Sequence, residues 1–126
     1  MTGTPKSSND QPARLKKRAD FLRVAKGRRY SMPGLVLQMA HSDLPAVDEV
    51  PPLARLGFTV TKKVGNAVIR NRARRRLKAA AARIMPLLAR KGCDYVLIGR
   101  EGTLDRPFGD LLADLETALR RIEGRK

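Results

Sequence analysis

A single cysteine, a single histidine, no tryptophan, three phenylalanines and two tyrosines are all that this chain of 126 residues offers in those classes. With Cys93 alone, no intrachain disulfide can form and a four-cysteine metal site is excluded, which fits a reducing compartment. Val96, Leu97 and Ile98 follow closely, so Cys93 reads as a small residue leading into a strand rather than as a nucleophile. His41 has no serine or carboxylate placed to make a catalytic set with it, and reads as a surface residue at a strand end. No apolar run approaches the ~20 residues of a membrane span, and no signal-peptide core is found at the start. A soluble protein that stays in the cytoplasm, with no membrane partner, is expected. The most informative absence is internal: from Arg55 to Cys93 there is no Asp or Glu.

What fills that stretch is positive charge. The whole chain carries 27 Lys and Arg against 12 Asp and Glu, a formal net charge of +15. Residues 55–93 hold 12 of those cations unopposed, residues 1–54 hold nine against five acids, and residues 94–126 six against seven. A density this one-sided is more than a solvated face; it attracts polyanions, and nucleic acid is the first partner to consider. Histones and ribosomal proteins share the composition, so charge names a class of partner and not a function.

The length suits one domain. Residues 1–13 are polar, with almost nothing to bury, and are expected to form a disordered tail before a single domain over 14–126. Leu15, Ala19, Leu22 and Val24 recur at roughly helical spacing around Phe21, with Gly27 as a stop, predicting a short basic helix. Residues 28–40 read as two strands joined or bent at Pro33-Gly34, and His41 to Leu53 as a loop. Leu56, Phe58 and Val60 alternate with Gly57, Thr59 and Thr61, the period of a strand with one buried face. From Asn66, the residues Ile69, Ala73, Leu77, Ala80 and Ile84 fall within about an 80° stripe of a helix. Arg70, Asn71, Arg74, Arg75 and Lys78 take the opposite face, with Arg72 and Arg76 on its flank. Pro86 and Gly92 bracket the end of this helix, Asp94 to Gly99 makes a buried strand, and Phe108 to Ile122 an amphipathic terminal helix. The expected class is α+β, in the order α-β-β-β-α-β-α.

Arginine outnumbers lysine on the basic helix, and its planar fork holds phosphate through two parallel hydrogen bonds. Like charges on successive turns have no acid at i+3 or i+4 to relieve them, and a polyanion would remove that cost. Membrane binding needs the apolar stripe free, whereas this Ala-rich stripe suits close packing on a sheet. Phosphodiester hydrolysis usually needs carboxylates or histidines to hold metal or move protons, and the cationic region has neither. The Lys62-Lys63-Val64-Gly65-Asn66 turn lacks the spacing of a phosphate-binding loop, so Gly65 reads as a turn glycine and no small-molecule substrate is indicated.

The stretch RLGFTVTKKVGNAVIRNRARRRLK, residues 55–78, closely resembles the signature of the bacterial ribonuclease P protein component, with Arg70-Asn71-Arg72 at its centre. The resemblance extends from Arg14-Leu15-Lys16 through Asp20-Phe21 to the Asp94-Tyr95-Val96 strand and the Phe108 to Leu119 helix. It implies a two-layer α/β sandwich with a left-handed β-α-β crossover, the ribosomal protein S5 domain 2-like arrangement, against the usual right-handed preference. It further implies that the chain binds a catalytic RNA subunit and the 5′ leader of precursor tRNA. The RNA would perform the cleavage with Mg²⁺ held by RNA and substrate, the protein alone being inactive. Lys62, Lys63, Asn66, Arg70, Asn71, Arg72, Arg75 and Arg76 match the family's RNA-subunit contacts, and the helical face adds Arg74 and Lys78. Lys17, Phe21 and Arg55 match its leader contacts. Where members often carry further aromatics, this chain has Ala25 and Gln38, so Phe21 reads equally as a stacking platform or as a core residue. For Phe58 and Tyr95 core packing is the favoured reading. A structural RNA-binding protein, such as a ribosomal one, is the alternative.

Overall fold

The structure is a computed structural model and describes residues 12–124. Five strands form one sheet: β1 (Ala13–Arg14), β2 (Arg28–Met32), β3 (Leu35–His41), β4 (Arg55–Val60) and β5 (Cys93–Gly99), in the spatial order β1-β4-β5-β3-β2. Four helices accompany them: α1 (Arg18–Ala25), α2 (Ala67–Leu88), α3 (Glu101–Asp105) and α4 (Phe108–Gly124). Pro33-Gly34 closes a tight antiparallel hairpin between β2 and β3, because Pro cannot extend the ladder and Gly34 fits under Leu111 and Asp114. Parallel β4 and β5 need a long crossover, and α2 is that crossover.

Of the tail expected over residues 1–13, residues 1–11 lie outside the described residues. Ala13 does not fit it: its backbone N–H donates to Ala54 at 2.8 Å, and β1 adds a short parallel edge to β4. The first helix also differs from expectation. Leu15 is buried but lies before the helix, its N–H bonded to Leu56, while Ala19 and Leu22 face solvent. The buried face of α1 is instead Asp20 and Val24, with Phe21 partly covered. An apolar count on an eight-residue helix is too short a record to find a face whose burial includes a charge.

Alternation divides the sheet. Leu35, Leu37, Met39, Leu56, Tyr95 and Leu97 point to one side, where α2 contributes Ala73, Leu77, Ala80, Ala81 and Met85, and α4 contributes Leu111, Leu115, Leu119 and Ile122. Small residues on α2 let the helix approach the sheet closely. On the other side a smaller cluster of Leu15, Val24 and Val96, flanked by Phe21, Ala40 and Ile98, seats α1 over part of the sheet and leaves the rest of that face open.

Tyr95 sits at the bottom of the main core. Its hydroxyl accepts from the Arg90 backbone N–H at 3.0 Å and donates to Glu123 at 3.2 Å. Burial pushes its pKa up from the ordinary 10.0, so the fold favours the neutral phenol. That contribution is intact below pH 10.0 and is lost as pH rises above it, because the unfolded chain ionises first. Tyr95→Phe is expected to cost about 1 kcal/mol at neutral pH and to flatten the alkaline decline in melting temperature. Equal alkaline slopes in the two proteins would show that this phenol does not govern it.

Candidate nucleic-acid interface

The helix α2 begins where the chain must turn sharply off β4. Lys62–Val64 forms one 3-10 turn, and Gly65 follows at φ 156°, where a Cβ would press on Ile69. Asn66 then caps the helix, its Oδ1 accepting from the Ile69 N–H at 3.0 Å. The side chain expected to meet RNA therefore starts the helix that carries the other contacts.

Structure divides the remaining cations on α2 into two groups. Arg70 donates Nη1 back to the Gly65 carbonyl at 2.9 Å, and Arg74 donates to Asn71 Oδ1 at 3.0 Å. Arg76 turns the other way and donates to the Arg106 carbonyl. Arg106 in turn grips the buried Asp114, Nε to Oδ2 at 3.0 Å and Nη2 to Oδ1 at 2.9 Å, and Asp114 also accepts from the Gly34 N–H. Arg76 thus ties α2 to the α3–α4 junction. Lys78 Nζ lies 5.9 Å from the centroid of the Phe58 ring, a cation–π distance. Lys62, Lys63, Arg72 and Arg75 are exposed. Arg83 is exposed as well and was missed by sequence reasoning. Eleven residues is about three helical turns, which puts Arg83 on the Arg72 face; the spacing was available as a signal.

A second region opens on the uncovered sheet face. Beside α1 a pocket is lined by Lys16, Arg18, Phe21, Phe58 and Thr59. Thr59 pairs with Ile98, which lines a groove of about 630 Å³ running toward Arg29, Ser31, Lys63 and Arg100. Lys16, Arg18, Arg29 and Arg100 were not singled out from sequence, because only strand pairing gathers cations from three separate segments. Lys17 stands exposed at the N-cap of α1, adjacent to this pocket in sequence. Phe21 points its ring tip at Gly57, where a Cβ would come within 2.5 Å of Cζ. It is half-buried, so it belongs to the small cluster and lines the pocket at once.

Arg55 does not join it. The side chain is only 15% exposed, with Nε donating to Asp94 Oδ1 at 3.0 Å, Nη2 to Asp94 Oδ2 at 2.7 Å, and Nη2 to Asp43 at 3.1 Å. The Asp94 hydrogen bonds push the Arg55 pKa up, and its guanidinium is occupied in a clasp between β4, β5 and α1. Strand alternation faces Arg55, expected from the resemblance to meet the leader, toward Asp94 within the fold, which no local pattern could show. Among the described residues no group of three or more His, Cys, Asp or Glu could hold a metal ion, and no helix is long and apolar enough to cross a membrane. Asp20 and Asp94 of the clasp are both paired to arginines.

The chain is similar to known proteins along most of its length. The family model for ribonuclease P matches residues 10–123. The chain is 56% identical over 110 residues to the ribonuclease P protein component of Paramagnetospirillum magneticum, covering 86% of this chain and 81% of that one. It is 53% identical over 113 residues to that of Gluconacetobacter diazotrophicus, covering 89% and 92%. Among solved structures, the RNase P protein from Thermotoga maritima superposes with a TM-score of 0.69 at 28% identity, covering 88% of this chain and 98% of that one.

Proposed function

The chain belongs to the ribonuclease P protein family, and from that premise we propose that it serves two nucleic acids on two surfaces. It is a protein subunit of the ribonucleoprotein endoribonuclease ribonuclease P, with its part in tRNA 5′ processing. The family match decides between the two RNA-binding readings against a purely structural ribosomal role. In this proposal the exposed face of α2 and its leading turn (Lys62, Lys63, Arg72, Arg75 and Arg83) bind phosphates of the RNA subunit. Arg70, Asn71 and Arg74 hold the flank of that face, and Asn66 caps it.

The 5′ leader of precursor tRNA lies in the groove beside α1, its backbone drawn by Lys16, Lys17 and Arg18 and a base stacked on Phe21. The observation that carries this second surface is a half-buried aromatic at the wall of a cationic pocket on an open sheet face. Mg²⁺ belongs to the RNA and the substrate. The protein's part is to neutralise phosphate repulsion and hold the leader, in the cytoplasm, where the lone buried Cys93 stays reduced.

Reconstitution tests it. Added to ribonuclease P RNA at low Mg²⁺, the chain is expected to restore 5′ cleavage of precursor tRNA, whereas without the RNA it should cleave nothing at any Mg²⁺ concentration. In the holoenzyme, Phe21→Ala should weaken binding of substrates with a leader of several nucleotides by roughly 5-fold to 150-fold, the value of one base–aromatic stack. Substrates with a single-nucleotide leader should be unaffected. Equal loss for both, with a lowered melting temperature, would make Phe21 a core residue only.

A further inference from the structure

We infer that Arg23 and Asp94 are positioning residues for leader recognition: their buried ion pair holds α1 against the sheet and so sets where Phe21 stands. The inference rests on the reading of Phe21 as the leader platform. A helix of eight residues has almost no stability of its own, so its place depends on what clamps it. Apolar contact supplies little here, since α1 buries only Val24 fully, with Phe21 partly covered and Ala19, Leu22 and Ala25 exposed.

Charge supplies the rest. Asp94 on β5 is fully buried, and its two oxygens accept from Arg23 of α1 and from Arg55 of β4. Helix α1 answers with Asp20, whose Oδ1 lies 3.2 Å from Arg23 and whose Oδ2 lies 3.5 Å from Arg55. Arg23 Nη1 also donates to the His41 carbonyl at 2.6 Å, and its Nε faces Asp43 at 3.7 Å. Two residues of the helix and two of the sheet thus hold each other in one geometry, with Asp43 at the rim. Two residues before Arg23, the Phe21 ring tip meets Gly57, which accepts it only because a Cβ is missing there. A sliding or tilting α1 would lift that ring. Neither Arg23 nor Asp94 lines the pocket or the groove, so any effect on the leader must pass through α1. A buried ion pair also adds little stability over apolar packing of the same shape, whereas its directional bonds specify one arrangement.

The test is a double-mutant cycle in holoenzyme reconstituted with ribonuclease P RNA, reading affinity for precursor tRNA with a leader of several nucleotides and with a single-nucleotide leader. Arg23→Gln removes the charge from a side chain that is 28% exposed. It is expected to weaken long-leader binding by about 5-fold to 20-fold, within the range of a lost stack, and to leave short-leader binding unchanged. In a Phe21→Ala background it should cost nothing further, and Arg23→Lys should recover part of the loss. Should Arg23→Gln melt below the assay temperature, Arg23→Lys carries the test alone, with a smaller loss confined to the long leader. Unchanged leader discrimination in the Arg23 variants, equal loss for both leaders, or additivity with Phe21→Ala would overturn the inference. If Phe21→Ala itself shows no leader dependence, the reading of Phe21 fails first and the inference falls with it, an outcome visible in the single mutant.

Discussion

Raising salt from about 50 mM to about 200 mM is expected to weaken binding of this chain to ribonuclease P RNA by about a hundredfold to five-hundredfold. Each phosphate neutralised by a cation releases condensed counterions, and the logarithm of affinity falls in proportion to the number of such contacts. Lys62, Lys63, Arg72, Arg75 and Arg83 are exposed, and no acid between Arg55 and Cys93 competes for them. Arg72→Ala and Arg75→Ala should each reduce the slope against log salt by about one. Arg76→Ala should not, because that guanidinium serves the Arg106 carbonyl. Titrations of labelled RNA at several salt concentrations decide the matter. A flat dependence would remove α2 as a phosphate-binding face, and an Arg76 slope equal to that of Arg72 would refute the division of the two groups.

The largest expected loss of stability belongs to Asp94→Ala. The carboxylate is fully buried, and two guanidiniums donate to it from different elements. Its removal leaves Arg55 and Arg23 with Asp20, the half-exposed Asp43 and, for Arg23, the His41 carbonyl, and breaking a buried pair in this way costs about 3 to 5 kcal/mol. Asp94→Leu combined with Arg55→Met should cost less than the sum of the two single changes, since the pair is removed together. Denaturant unfolding of the three proteins measures this. A loss near 1 kcal/mol for Asp94→Ala, or strict additivity, would show that the clasp is solvated and weak.

The main elements were legible from periodicity because their patterns are long. The α2 stripe from Ile69 to Ile84 and the α4 stripe from Phe108 to Ile122 each run several turns, and from Ala73 onward on α2 and throughout α4 they pack where that pattern places them. The Leu56, Phe58, Val60 alternation likewise points at the main core. Short elements were not legible. Strand β1 spans two residues and α3 five, too few for any period to register, and Leu15 was read into a helix that begins after it.

The class of partner and the family were already legible in the linear sequence. A run of cations without one acid selects for polyanions whatever its fold, and the residue 55–78 motif is long enough to be recognised as a string. Which of those cations are available depends on the folded arrangement. Arg55, Arg70, Arg74 and Arg76 look alike in sequence to Arg72 and Arg75, yet the first four are engaged by Asp94, Gly65, Asn71 and Arg106. Guanidinium groups satisfy their hydrogen bonds with whatever acceptors the fold brings near, and those acceptors lie as far as 39 residues away along the chain. The same holds for Phe21, whose ring tip meets a glycine of β4 and whose helix is paired through Arg23 to a carboxylate of β5.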